Sequence, residues 1–113
     1  MKAVSFNILG VPYKVKVQTE IENPKLRGAD GLCEFYSKEI ILDTSPRNNE
    51  QAFNNIEEYY HKVLRHEAFH AILHEAGLDC YAEDEKLVDA LAVLYPRITP
   101  VMEKIESLNT EEL

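Results

Sequence analysis

The first seventeen residues alternate between apolar and polar side chains. One alternating run spans residues 4–8, a second spans residues 11–17, and Leu9-Gly10 lies between them. A period of two is typical of strands that bury one face, so these runs predict a β-hairpin. Pro12 has no backbone N–H to donate, and its place near the start of the second run favours an edge position for that strand.

A second hairpin is predicted after a polar loop at residues 19–30. Residues 32–36 and 39–42 are rich in residues that favour strands. The turn between them, at residues 37–38, lacks the Gly or Asn that two-residue turns prefer. Residues 43–49 contain a proline and two asparagines and indicate a connector.

The pattern changes to a helical one in the second half of the chain. Residues 55–76 predict one long helix, for which Gly77 is a suitable residue just past the end. Residues 83–95 predict a second helix, and Pro96 is expected to stop it. Both segments have an apolar stripe at helical spacing, as expected for helices that pack on a core.

A third, short helix is predicted near the end of the chain. Thr99-Pro100 is a favourable pair for a helix start, and this helix should reach about residue 108. Strands therefore come first and helices follow, an order that favours the α+β class. A length of 113 residues is typical of one domain, so we expect a single α+β domain over residues 1–113.

Composition and charge restrict the partners that the chain can have. The formal net charge is −8, which argues against nucleic acid because a phosphate backbone attracts a basic surface. The N-terminal residues lack the apolar core of a signal peptide, and no apolar run is long enough for a membrane span. Cys33 and Cys80 lie far apart without a CxxC motif, so we expect reduced thiols in a cytoplasmic protein; a zinc-bound thiolate at Cys80 is the less favoured alternative. The oligomeric state is not predicted.

The most specific signal is His66-Glu67-Ala68-Phe69-His70, which has the form H-E-x-x-H. Positions i and i+4 share one face of a helix, so both imidazoles can bind one metal ion with a carboxylate beside it. Helical projection places the motif on the apolar stripe, where unsatisfied polar groups are costly. A zinc ion would satisfy them; the alternative is that these side chains pair with one another.

His74 lies too far along the helix to share the ion with both other histidines. It is eight residues beyond His66, about 12 Å at 1.5 Å per residue. The metzincin pattern HExxHxxGxxH is excluded, because Leu73 and Ala76 occupy the positions of its Gly and third His. His74 is therefore expected to pack in the fold or to support a ligand by a hydrogen bond.

The third ligand is expected to be a downstream carboxylate, which would leave one position open. Glu85 lies at the edge of the apolar stripe of the second helix, whereas Glu83 points to solvent and Asp84 suits a helix cap. Asp89 shares the face of Glu85 and could hold a histidine N–H. Asp79 is a further candidate ligand. The alternative is that acidic residues lie in the first turn of the helix to favour its positive end, which explains Glu83 and Asp84 well and Asp89 poorly.

The segments VLRHEAFHAILHEAGL and EKLVDALA resemble the ImmA/IrrE-type metallopeptidases of phages and mobile elements. The spacing of Glu85 and Asp89 is also similar to the E-x-x-x-D pair of gluzincins. The resemblance covers roughly residues 28–96 and includes GLCEFYSKEIILD, which is similar to the family's edge hairpin. The matching residues are His66, Glu67, His70, His74, Glu85, Asp89 and Ala92. Phe69 and Arg65 depart from the family's pattern, which usually has small residues there.

This resemblance implies a minimal zincin-like domain, with a small antiparallel sheet of two hairpins, that hydrolyses peptide bonds with Zn²⁺. Zinc would be held by His66, His70 and Glu85, with Glu67 as the general base. Tyr81 is the candidate for stabilising the oxyanion, and Tyr36 is another. An edge strand within residues 32–42 could bind an extended peptide or protein substrate. The rival hypothesis is a catalytically weak or inactive zinc-binding module that binds a regulatory protein.

Overall fold

In the part of the chain that the structure describes, four strands precede three helices. The computed structural model describes residues 3–46 and 55–113. The elements are β1 (Ala3–Ile8), β2 (Val11–Gln18), β3 (Gly31–Glu34), β4 (Glu39–Asp43), α1 (Ile56–Glu75), α2 (Asp79–Ala82) and α3 (Glu85–Glu106), with 3-10 turns at Pro24–Leu26 and Thr110–Glu112. The α+β class is therefore confirmed. The predicted connector at 43–49 lies partly outside the described residues.

The four strands form one mixed sheet in the order β1-β2-β4-β3. Both predicted hairpins are confirmed, because β1 pairs antiparallel with β2 and β3 with β4. The predicted antiparallel sheet is wrong, since β2 and β4 pair in parallel from Lys14–Glu39 to Gln18–Asp43. After the loop at 19–30, β3 runs opposite to β2, so its hairpin partner β4 must run parallel to β2 when it docks there.

The prediction that Pro12 marks an edge strand is also wrong. β2 lies between β1 and β4, and Pro12 is paired with Asn7 of β1. Pairing with β4 begins only at Lys14, whose N–H donates to the carbonyl of Lys38 over 2.9 Å. The proline therefore lies on a part of β2 that has no second neighbour, and its missing N–H costs no bond to β4.

Helix α1 lies on the sheet and forms the core with it. Tyr13, Ile40 and Ala71 are fully or almost fully buried, and Ile8 joins them. The hydroxyl of Tyr13 donates to Oε2 of Glu75 over 2.6 Å, which ties the last turn of α1 to the sheet. Burial of the apolar side chains is the main stabilising contribution to this core, and the hydrogen bond between Tyr13 and Glu75 fixes the position of α1 along the sheet.

The long histidine helix agrees with its prediction. The side chain of Asn55 accepts from the N–H of Glu58 at the start of α1. Gly77 follows its end with φ of 79°, and the N–H of Leu78 donates to the carbonyl of Leu73. This pattern is the glycine-dependent helix end that the sequence indicates.

The predicted end of the second helix at Pro96 and the predicted helix start at Thr99 are wrong. Helix α3 continues through Pro96 and Pro100 to Glu106. Pro96 removes the N–H that would bond the carbonyl of Ala92, but Nε of Arg65 donates to that oxygen over 3.2 Å. A side chain from α1 thus satisfies the carbonyl that the proline leaves free.

Helix α3 begins at Glu85, two residues after the predicted start, and the suggested cap at Asp84 is present. Asp84 caps it, accepting from the backbone N–H groups of Lys86 and Leu87. The short helix α2 was not predicted, and it links the end of α1 to this cap. Within residues 3–46 and 55–113, no helix combines the length and the apolar character that crossing a bilayer requires.

Candidate metal centre

Three predicted ligands meet between α1 and the first turn of α3. Nε2 of His66 and Nε2 of His70 lie 3.2 Å apart. The two carboxylate oxygens of Glu85 lie 3.0 Å from these nitrogens, Oε2 from His66 and Oε1 from His70. All three ligand atoms fall within 4.8 Å of one another. The structure therefore brings together the two histidines of the motif and the one carboxylate favoured from the sequence.

The other ring nitrogen of each histidine fixes its tautomer. Nδ1 of His66 lies 2.9 Å from Oδ1 of Asp89, and Nδ1 of His70 bonds the carbonyl oxygen of Ala82. Both partners are acceptors, so both Nδ1 atoms carry the proton. Each Nε2 then presents a lone pair towards the other and towards Glu85, an arrangement that could hold a metal ion between them.

These donors suit zinc in number, type and spacing. At zinc–ligand distances of about 2.0–2.1 Å, two ligands of a tetrahedral ion lie roughly 3.3 Å apart. The observed separations of 3.2 Å and 3.0 Å are close to that value. The side chains of His66 and His70 are 19% and 10% exposed, whereas that of Glu85 is 70% exposed. The centre is thus enclosed on the side of α1 and open to solvent beside α3.

Glu67 lies on the same helix, buried beside the ligands. Its exposed fraction is 8%. Burial raises the pKa of its carboxyl to about 7, with His70 opposing the shift and the negative charges of Glu85 and Asp30 adding to it. A carboxyl with a pKa near neutrality can both accept and return a proton at physiological pH.

Strand β3 approaches Glu67 closely at Gly31, a residue that the sequence analysis did not single out. A Cβ at this position would lie 2.9 Å from Cγ1 of Val63, 3.0 Å from the carbonyl oxygen of Ile41 and 3.2 Å from Cγ of Glu67. Only glycine lets the strand come this near to the helix. The sequence did contain a signal for this approach, because Gly31 directly precedes the strand predicted at residues 32–36, and a glycine at a strand often marks close backbone approach.

A cavity of about 440 Å³ lies beside the ligand group, between the start of β3 and the two long helices. Its lining comprises Ala29, Asp30, Gly31, Leu32, Tyr59, Lys62, Val63, His66, Glu67, Glu85, Asp89 and Ala92. The edge strand expected within residues 32–42 is β3 alone, because β4 lies inside the sheet. Among the described strands β3 pairs with β4 alone, so it forms one edge of the described sheet.

His74 lies outside the ligand group. Its ring stacks on Phe35 with centroids 4.1 Å apart and planes 4° from parallel. Its Nδ1 is 3.0 Å from Oδ1 of Asp79. The structure thus gives His74 a packing position and places Asp79 with it, while Glu83 and Asp84 are also outside the group.

The two candidate tyrosines are exposed. Tyr81 is in α2, between the ligand helices, and half of its side chain is exposed, while Tyr36 at the turn after β3 is fully exposed. Neither is among the described residues that line the cavity. The role of each tyrosine in stabilising an oxyanion remains a prediction.

The cysteines and the unusual motif residues have their own environments. Both thiols are free, and Cys80 is exposed and does not belong to the ligand group found among the described residues. Burial, with a smaller effect of Glu67, raises the pKa of the Cys33 thiol to about 12. Phe69 meets the ring of Tyr95 edge to face, with centroids 6.1 Å apart, and so packs α1 against α3.

Comparison of the chain with protein-family models, with curated proteins and with solved structures gave no match in any of the three. The family, the activity and the cytoplasmic location therefore stay predictions from the sequence.

Proposed function

We propose that this protein is a zinc-dependent metallopeptidase with a zincin-like arrangement, resembling the ImmA/IrrE-type enzymes of phages and mobile elements. The observation that carries the proposal is the convergence of two histidine lone pairs and one carboxylate beside the buried Glu67. Two imidazoles and a glutamate with an open side are the ligand set of catalytic zinc sites in peptidases. Asp89 supports the proposal because it fixes the tautomer of His66.

Each residue of the centre has a distinct task in peptide hydrolysis. His66, His70 and Glu85 would hold the ion, which when bound lowers the pKa of a water ligand and polarises a carbonyl. Glu67 accepts a proton from the attacking water and delivers it to the leaving amine. Its raised pKa suits both transfers. Tyr81 would donate a hydrogen bond to the developing oxyanion.

The substrate would bind as an extended segment along β3. The first two residues of this edge strand line the cavity, and Gly31 lets the strand approach Glu67 closely. Backbone hydrogen bonds to an edge strand accept many sequences, so they align a peptide without selecting its side chains. The scissile bond would then lie beside the ligand group.

The deciding experiment compares the parent chain with Glu67→Gln in zinc content and in cleavage of a quenched fluorescent peptide library. Both proteins should carry about one zinc, since Glu67 is not a ligand in this proposal. Cleavage should fall by about 10²-fold or more in Glu67→Gln, because general base catalysis is lost. Glu83→Gln is the matched control, an exposed carboxylate outside the ligand group, and should keep both zinc and activity.

Three results would contradict the proposal. Unchanged cleavage by Glu67→Gln would show that Glu67 is not the general base. Unchanged zinc affinity in Glu85→Ala would show that Glu85 is not the third ligand. A parent chain that binds zinc but leaves the library uncut would favour the rival hypothesis of a zinc-binding module that engages a regulatory protein.

A further inference from the structure

The second half of α3 carries apolar side chains that the described part of the chain leaves exposed. From Leu94 onward, the residues on one face of this helix are 36% to 55% exposed. The buried residues of α3, Val88 and Ala92, lie in its first half, on the face that meets α1. Isolated exposed apolar residues are ordinary, but a continuous face of them marks an interaction surface.

The spacing of this face is a heptad repeat. Its members in α3 are Leu87, Leu91, Leu94, Ile98, Val101 and Ile105, which we call the heptad face. The intervals alternate between four and three residues without interruption, as in the seam of a coiled coil. With Ile98 at position a, Ile105 is also at a, and Leu94 and Val101 occupy d. Isoleucine at a with leucine at d favours two parallel strands.

The two prolines of α3 lie on the opposite side of the helix. In the same register Pro96 is at position f and Pro100 at c, both away from the a and d seam. Their rings therefore face away from the seam, and the carbonyl of Ala92 that Pro96 leaves without an amide partner is bonded by Arg65 of α1. The sequence thus keeps helix-disrupting residues off the seam while Ile98 and Val101 beside them remain on it.

We propose that the chain forms a parallel homodimer through the heptad face. Four of its residues, Leu94, Ile98, Val101 and Ile105, are 36% to 55% exposed, as are Tyr95 and Met102 at the neighbouring e positions. At roughly 200 Å² per large side chain, these six offer about 550–600 Å² per copy, about three quarters of the roughly 800 Å² per partner of a stable interface. A second copy supplies an identical face, as two-fold symmetry requires.

The charges beside the seam favour the parallel orientation. Arg97 and Lys104 occupy the g positions. In a parallel pair Arg97 faces the e position of the second copy, which is the uncharged Met102, and Lys104 lies in the last turn of α3. In an antiparallel pair g faces g, and Arg97 would meet Lys104 of the second copy, which is repulsive. The acidic residues Glu103 and Glu106 nearby argue against an anionic membrane as the occupant.

The first test is the oligomeric state of the whole chain, measured by light scattering and sedimentation equilibrium at tens of micromolar. The parent should have twice the mass of one chain. Val101→Lys places a charge at d and should weaken association by about 10-fold or more, whereas Glu103→Lys, on the outer face at f, should not. Circular dichroism and zinc content serve to show that each variant is folded. A monomeric parent, or equal effects of the two lysines, would overturn the proposal.

The second test reports orientation. In a Cys80→Ser background, Val101→Cys puts one thiol at a d position of each copy, where parallel strands bring the two Cα atoms within disulfide range. Mild oxidation should join two chains through this residue, while Glu103→Cys should remain largely unjoined. Equal joining in both variants would overturn the parallel seam. This inference does not depend on the metal centre, so a dimer without peptidase activity would leave it intact.

Discussion

Nε of Arg65 lies 3.2 Å from the carbonyl oxygen of Ala92, the oxygen that Pro96 leaves without an amide partner. The contact joins the histidine helix α1 to α3 one residue before the motif begins. It also accounts for two features that looked unrelated in the sequence, a bulky basic residue ahead of the motif and a proline that does not end its helix.

This relationship predicts a coupling that a double-mutant cycle can measure. Arg65→Met should lower the free energy of unfolding by about 1 kcal/mol, because the carbonyl of Ala92 loses its donor. In a Pro96→Ala background the new alanine N–H can bond that carbonyl, so the same change should cost much less. Urea unfolding of the four proteins gives the coupling energy.

Pro100→Ala is the control for this cycle. It restores an N–H to a different carbonyl, that of Pro96, so Arg65→Met should keep its full cost in that background. Equal costs in the parent and in Pro96→Ala would show that Arg65 does not compensate for the proline.

Asp89 is expected to affect metal affinity without being a ligand. Its carboxylate accepts a hydrogen bond from the Nδ1–H group of His66. Asp89→Ala should therefore free the imidazole to rotate and to change tautomer. Zinc stoichiometry should stay near one while affinity falls by about 10- to 100-fold, measured by competition with a chelating dye. Asp79→Ala removes an equivalent contact to His74 and should leave the affinity unchanged. A loss in Asp79→Ala as large as that in Asp89→Ala would contradict this role.

Among the residues that line the cavity, Gly31 should tolerate substitution least. The methyl group of Gly31→Ala would meet Val63, Ile41 and Glu67 at 2.9–3.2 Å, so we expect a loss of about 1–3 kcal/mol in stability. Because the nearest atom belongs to Val63, a Val63→Ala change should partly relieve the strain. The double variant should therefore be more stable than the sum of the two single losses implies. A simple sum would indicate that the strand moves instead of the valine.

Local patterns predicted the elements that depend on neighbours in the sequence. The first hairpin, the helix of Ile56–Glu75 and the cap at Asp84 follow from alternation, helical spacing and cap chemistry. The position of Glu85 also followed, because it depends on the helical phase relative to Val88. What could not be predicted depends on distant partners. The parallel pairing of β2 with β4 is set by how two hairpins dock, and the passage of α3 through Pro96 is set by Arg65 on another helix.

Glu75 should make part of the protein's stability dependent on acid pH. Its pKa is lowered below the ordinary value of 4.5, first by the hydrogen bond from Lys38 and then by that from Tyr13. A lowered folded-state pKa contributes stability above 4.5 that is lost as the pH falls through the folded-state value. The decrease in the free energy of unfolding as the pH falls from above 4.5 to below the folded-state pKa of Glu75 can be measured by urea unfolding. This decrease should be largest in the parent. It should be smaller in Tyr13→Phe, smaller still in Lys38→Met and smallest in Glu75→Gln.

The opposite order among these variants would mean that other carboxylates determine the acid response. Glu75→Gln keeps an acceptor for the Tyr13 hydroxyl, so it separates the charge from the hydrogen bond. Lys38 has φ of 58° at the turn before β4, and its amine lies 2.7 Å from Oε2 of Glu75. The same variants therefore also test whether this ion pair holds a turn that lacks glycine.

The two thiols should differ sharply in reactivity. Burial and the nearby Glu67 raise the pKa of Cys33 to about 12, so at about pH 8 roughly one Cys33 in 10⁴ is a thiolate. Cys80 is exposed. An aromatic disulfide reagent should therefore modify one thiol quickly and the second slowly, and Cys80→Ser should abolish the fast phase. A fast phase that survives in Cys80→Ser would contradict the enclosed environment of Cys33. Because Cys33 lies between the sheet and α1, the slow rate then reports how often these two layers separate, and it should rise in Gly31→Ala if that change loosens the contact.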